Sequence, residues 1–249
     1  MKRRLLTVML ALVLAPLAQA KDLQCQVHSD YDLRMHGQAF VFTRNDGAAR
    51  RVVIGGGHLY VNGREVVLNA ADQQRLNAYE TELRRLLPEA RQVAIDGTDI
   101  AFTALAEVAR GFADKGDDSM VAELEQAHRN LRAQFDRDPA FIFNGDIDAE
   151  VIRPVITKFV PEITGAAVKT ALSVAFSGDE AKTKAFETRM NNMGRDIDAK
   201  VKTRAESLKP LADSLCQHTR RLDAIESGLT FRLDDGSALD LVQTGKQND

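Results

Sequence analysis

The hydrophobic period of this chain changes at Asn69, and that change decides what it can fold into. Before it, over residues 38–68, the pattern is that of strands. Ala39-Phe40-Val41-Phe42, Val52-Val53-Ile54, His58-Leu59-Tyr60-Val61 and Arg64-Glu65-Val66-Val67-Leu68 are short β-favouring runs. They are separated by Asn45-Asp46-Gly47, Gly55-Gly56-Gly57 and Asn62-Gly63. Asn-Gly between two such runs is a strong hairpin signal, because both central residues of the tight turn need positive φ. The spacing predicts an antiparallel meander of three or four strands.

After Asn69 the apolar residues recur at steps of three and four. Asn69-Ala70-Ala71-Asp72 reads as a helix start, with Asn69 as cap and Asp72 near the positive end of the helix dipole. Leu76, Tyr79, Leu83, Leu86 and Leu87 share one face, and Pro88 is expected to end or bend this helix. A second helix is predicted over 98–112 and a third over 117–136, separated by Gly116. Beyond Pro139, Phe141-Ile142-Phe143 reads as a short strand and Asn144-Gly145 as a turn. A helix over 148–176 carries the wide stripe Ile152, Val155, Ile156, Phe159 and Ile163, with Pro161 as a kink. The longest helix runs from Ser177-Gly178-Asp179 to Glu226, its apolar residues at near-heptad spacing, with Pro210 kinking or splitting it. Residues 229–233 and 238–242 alternate around Asp234-Asp235-Gly236, which predicts a terminal hairpin.

The fold class is therefore α+β: an N-terminal antiparallel β-meander, a mainly helical body of long amphipathic helices, and a short C-terminal β-hairpin. Residues 21–69 form the β-rich part, 70–228 the helical body and 229–249 the hairpin and tail. Without a repeat or a Ser/Gly linker, residues 21–249 are read as one domain.

Residues 1–20 read as a cleaved signal peptide. Lys2-Arg3-Arg4 precedes an apolar run over 5–17, followed by Ala18-Gln19-Ala20, so cleavage is expected after Ala20. The run is too short for a span, which needs about 20 residues. The later apolar stretch 151–176 carries Arg153, Lys158, Glu162 and Lys169, costly in lipid, so no transmembrane segment is expected in the mature chain. The implied address is an oxidising compartment. Cys25 and Cys216 are the two cysteines. An even count in an exported chain favours a bridge between them over two separate buried thiols. No C-x-x-C suggests thiol exchange. With 33 basic against 36 acidic residues and a formal charge of −3, the chain lacks the positive field of a nucleic-acid binder.

The stretch Leu59-Tyr60-Val61-Asn62-Gly63-Arg64-Glu65, then Leu68-Asn69-Ala70-Ala71, Tyr79, Glu82-Leu83-Arg84 and Leu87-Pro88, resembles the YggN-like family of exported proteins of Gram-negative bacteria. So do the signal peptide closely followed by Cys25 and the late Cys216. The resemblance implies a periplasmic location, supports the bridge, and carries over no catalytic residue.

Chemistry-bearing motifs are weak. His28 and His36, with Asp30 and Asp32 between them, match no metal-ligand spacing and read as a polar loop. Asp146, Asp148 and Glu150 begin like a calcium loop, but Val151 and Thr157 stand where it needs glycine and a bidentate acid. Gly55-Gly56-Gly57 precedes a strand, so the dipole half of a phosphate cradle is missing. There is no G-x-S-x-G, S-x-x-K or H-E-x-x-H. No cofactor or metal is implied. Met190 and Met193 could line an adaptable groove, although such stripes normally face a protein's own core. The leading reading is a non-enzymatic binding or envelope-interaction module whose partner is another periplasmic or envelope protein. The alternative is a hydrolase or small-ligand-binding protein with a site assembled from distant residues. A concave pocket holding a histidine–carboxylate pair would favour the alternative, and an exposed apolar groove between the helices the first.

Overall fold

The computed structural model describes residues 26–113, 118–137 and 152–245. The signal segment, Cys25, Gly116, the strand expected at Phe141-Ile142-Phe143 and the acidic set Asp146, Asp148 and Glu150 lie outside these. Seven strands are assigned among them: β1 (Val27–His28), β2 (Asp32–His36), β3 (Ala39–Thr43), β4 (Arg51–Gly55), β5 (His58–Val61), β6 (Arg64–Glu65) and β7 (Gln243–Thr244). Four helices accompany them: α1 (Ala70–Phe112), α2 (Ser119–Arg137), α3 (Arg153–Ser177) and α4 (Glu180–Ser227).

The meander is there, with one strand more than expected. β2 to β6 form a five-stranded antiparallel sheet in sequence order. The extra strand is β2, which includes Asp32 and His36 from the expected polar loop. Phe40 pairs with Ile54, Phe42 with Val52 and Ile54 with Leu59. This register puts all five residues on one face, where each is buried. Asn62 and Gly63 turn with φ of 50° and 83°. The Asn62 carboxamide oxygen accepts from the Arg50 and Arg51 amides. The triple glycine makes another tight turn, with Gly56 and Gly57 both at positive φ.

The helix starting at Asn69 forms as read, with the Asn69 side chain accepting from the Asp72 amide at 2.9 Å. It does not end at Pro88. The two helices expected over 70–112 are one, and Pro88 lies inside it. Pro161 and Pro210 likewise lie inside α3 and α4. All three prolines are exposed. The carbonyls they leave without an amide partner thus lie on the wet side of each helix, where water can bond them.

α1 and α4 run antiparallel, and their cross-links advance along one while retreating along the other. Tyr79 meets Glu226, Glu82 meets His218, Thr103 meets Arg204, Glu107 meets Lys200 and Gly111 meets Met193. At about 1.5 Å per residue these helices are about 65 and 70 Å long. Met193 packs over Gly111, where an added Cβ would lie 2.2 Å from its Sδ. That methionine therefore faces the helix pair and does not line an open groove.

Two cores form along this pair. The first packs the sheet face against Leu76, Tyr79, Leu83 and Leu87 of α1, Leu222 of α4, and the tail leucines Leu229, Leu233, Leu239 and Leu241. The second joins Ile95, Phe102, Ala106 and Ala109 of α1 to Leu124, Leu131 and Phe135 of α2 and Phe159 and Ile163 of α3.

The tail turns at Asp234-Asp235-Gly236, where Leu233 N–H donates to Ser237 O at 2.9 Å. Its flanking arms are extended but form no ladder with each other. The strand of this tail is β7, and it pairs with β1, Val27 opposite Thr244 and His28 opposite Gln243. The reason is local: amides of both arms bond helix carboxylates. Asp72 takes the Thr230 and Phe231 amides, Glu226 takes Leu241 and Asp223 takes Thr244.

Candidate functional site

Four of the five histidines, where a hidden catalytic site would begin, pair with carboxylates of the scaffold. His218 is buried between α1 and α4. Its Nδ1 lies 2.7 Å from Glu82 Oε1 and its Nε2 3.5 Å from Glu89 Oε1. Arg221 reaches the same Glu82 oxygen at 3.1 Å. Both ring nitrogens thus face carboxylates of the partner helix, and the ring works as a bridge between helices. His128 does the same for α2: Nε2 is 2.7 Å from Asp99 Oδ1, and the ring stacks on Phe102 at 4.9 Å. His58 pairs with Glu65 across the exposed hairpin, and His28 pairs with Asp30. Among the described residues no three His, Cys, Asp or Glu side chains are placed to hold a metal ion. The glycine turn is also filled from within. The Glu80 carboxylate accepts from Gly57 N–H at 3.2 Å and Gly56 N–H at 3.4 Å.

A cleft of about 350 Å³ lies between the end of α4 and the tail, lined by Asp223, Glu226, Leu239, Asp240, Gln243 and Thr244. Burial, with the nearby Asp240 charge, pushes the Glu226 carboxyl up to about 8, against the donated bonds of Leu241, Tyr79 and Val242. A raised carboxyl in a cleft is a general-acid candidate. Here, however, Glu226 is 4% exposed. One of its oxygens accepts the Leu241 amide and the other the Tyr79 hydroxyl. Asp223 is engaged by the Thr244 amide and hydroxyl. These acids hold the tail. The sequence carried a signal for them: Asp72 and Glu226 fall on the inward stripes of Leu76 and Leu222, where a charge breaks the pattern.

What remains open is α3. Phe159 and Ile163 point into the second core. At 100° per residue Lys158, Glu162 and Lys169 fall within about 40° of each other, on one flank of the helix. Lys158 Nζ bonds Glu123 of α2 at 2.7 Å, which turns that flank towards α2 and raises the lysine pKa. The outward side from Pro154 to Phe176 carries no charged residue. Ile156, Val160, Val168, Leu172 and Phe176 are 44–85% exposed, and at 100° per residue they wind about 200° round the helix, from beside the buried Ile163 to the flank of Lys158. Its threonines turn their hydroxyls back on their own helix, Thr157 to Arg153 O and Thr164 to Val160 O. By length and composition alone α3 is long and apolar enough to cross a bilayer, and little of it is buried. Beside it a cleft of about 110 Å³ opens between α1, α2 and α3, lined by Ala109, Phe112, Met120, Ile163 and Lys169. Neither cleft contains a histidine.

The family model described as protein of unknown function (DUF2884) matches residues 25–242. The chain belongs to the DUF2884 family. No curated protein and no solved structure matches it. The DUF2884 match begins at Cys25 and ends at Val242, so it takes in the sheet, all four helices and the carboxylate-held tail.

Proposed function

We propose that this DUF2884 protein is an exported, non-enzymatic binding module of the bacterial envelope, and that the outward face of α3 is its binding element. The observation that carries the reading is an exposed ridge from Ile156 to Phe176, about 30 Å long, that bears no charge. Single exposed hydrophobic residues are ordinary, but a contiguous run of this length is the mark of a contact surface. That the His218 and His128 pairs lie outside both clefts supports a non-catalytic role. The n-, h- and c-regions of residues 1–20 and the YggN-like resemblance support export to the periplasm.

A photo-crosslinking amino acid at Val168 in living cells should give covalent adducts, and the same group at exposed Lys202 of α4 should give none. Absence of any adduct at Val168 would overturn the reading. So would hydrolase turnover by the purified protein that His218→Ala or His128→Ala abolishes.

A Cys25–Cys216 bridge belongs to the same proposal. Gly245 N–H donates to Gln26 O at 2.8 Å, and Thr244 is held by Asp223, two helical turns beyond Cys216. Gln26, which follows Cys25 in the sequence, is thereby tied to the tail that α4 holds, and α4 carries the buried Cys216. Denatured, unreduced mature protein should titrate no thiol; two thiols would reject the bridge.

A further inference from the structure

We propose that the occupant of the α3 face is a second copy of this chain, packed antiparallel about a two-fold axis that crosses α3 near Gly165. The inference rests on the reading of α3 as the binding element and names its partner.

The arrangement of charge makes the face self-complementary. Two helices related by a two-fold axis perpendicular to both, lying in the plane between them, run antiparallel and keep equivalent flanks on the same side. With the crossing between Gly165 and Ala166, Glu162 of one copy lies opposite Lys169 of the other, and the symmetry makes this pair twice. A lysine ammonium has three donors, so Lys169 can serve this acceptor together with others. A parallel pair would place the charged flanks on opposite sides and form neither contact. A lipid surface would draw on the two lysines but gain nothing from the carboxylate between them.

The shape agrees. Ile156, Val160, Thr164, Val168, Leu172 and Phe176 are four residues apart and form a single ridge running obliquely across the helix. Two such ridges interdigitate at a crossing angle near −50°, the packing class built from i±4 ridges on both helices. Gly165 stands at the crossing, and a Cβ built there would meet nothing within 4 Å. The backbones can therefore approach closely at that point. The outward part of this ridge, Val160 to Leu172, is about 20 Å long and about 10 Å wide, a footprint on the order of 200 Å². That is well below the roughly 800 Å² per partner of a standard interface, so the dimer should be weak and reversible.

Sedimentation velocity of the full mature chain from about 1 to about 100 µM should show a concentration-dependent dimer. Leu172→Glu should abolish it. Glu162→Lys and Lys169→Glu, each on an exposed flank and checked for unchanged helicity by circular dichroism, should each weaken it about tenfold by setting like charges face to face. The double variant Glu162→Lys/Lys169→Glu should restore it. A chain monomeric at about 100 µM would overturn the proposal. So would a dimer indifferent to Leu172→Glu, or charge variants whose effects add without rescue. Monomer that binds phosphatidylethanolamine–phosphatidylglycerol vesicles in a Leu172-dependent way would overturn the second copy as occupant and leave the α3 binding element standing. Monomer without any in-cell adduct at Val168 would overturn both.

Discussion

Asp72→Ala should cost the protein about 3 kcal/mol or more, a large share of the 5–15 kcal/mol that holds a typical domain together. Asp72 is completely buried in the first turn of α1. Its two oxygens accept the Thr230 amide at 3.0 Å, the Thr230 hydroxyl at 2.6 Å and the Phe231 amide at 3.1 Å. Arg75 adds an ion pair at 3.0 Å. Truncation leaves two amides and a hydroxyl without their acceptor, at about 1–3 kcal/mol for each group that stays dry. Asp72→Asn keeps the volume but turns an N–H₂ towards donors, and should recover only part of the loss. The acid limb of the stability curve has the same origin. Burial alone would raise the Asp72 carboxyl, but the bonds from Thr230, Phe231 and Arg75 outweigh it and hold the pKa below its ordinary 3.8. The folded state therefore keeps this carboxylate ionised where the unfolded chain has taken up a proton. Its contribution is complete above 3.8 and is lost as pH falls through the lower folded value. Urea midpoints at neutral pH and near pH 3 check both statements. An Asp72→Ala protein within about 1 kcal/mol of the parent would mean that the tail docks through its leucines alone.

The carboxylates of Asp72, Asp223 and Glu226 explain why the tail is only half legible. Its alternation and its Asp234-Asp235-Gly236 turn stand in the sequence, and the turn forms. What alternation cannot say is where the backbone bonds go, and here helix carboxylates replace a neighbouring strand. β2 was legible and missed. Asp32-Leu33-Arg34-Met35-His36 alternates between exposed and half-buried positions, but three of its five side chains are polar or charged, so it reads as loop. Proline removes a donor and crowds the preceding turn, so Pro88 is expected to end or bend the helix. It sits within α1 because its face is wet and because Leu83, Leu87 and Ile95 on either side are buried in the two cores. The candidate site divides in the same way. The apolar stripe of α3 is visible as Ile152, Val155, Ile156, Phe159 and Ile163. That Phe159 and Ile163 are covered and Ile152 and Ile156 are not depends on where α1 and α2 stand, which no local pattern encodes.

Glu226→Gln should flatten the alkaline limb of the stability curve. In the unfolded chain this carboxyl ionises near its ordinary 4.5, and in the folded protein burial carries it to about 8. Between those values the folded state holds a proton that the unfolded state has lost. Stability therefore falls as pH rises through the window, by at most about 1.4 kcal/mol per pH unit, and levels off above the folded value. Folding above that point leaves a buried carboxylate close to Asp240, with bonds from Leu241, Val242 and Tyr79 in partial compensation. Glutamine keeps an acceptor for Leu241 and offers Tyr79 an N–H in place of an acid proton, so it copies the neutral carboxyl. At pH 5.5 the variant should match the parent within about 1 kcal/mol, and by pH 8.5 it should be the more stable of the two by about 2 kcal/mol or more. Urea unfolding at pH 5.5, 7 and 8.5 reads the difference directly. If the two proteins kept parallel profiles, Glu226 would be ionised in the folded state at neutral pH, and the tail clamp would be an ion site rather than a buried acid. Glu226→Ala removes the acceptor altogether and should be destabilised at every pH, which separates the loss of a bond from the loss of a charge.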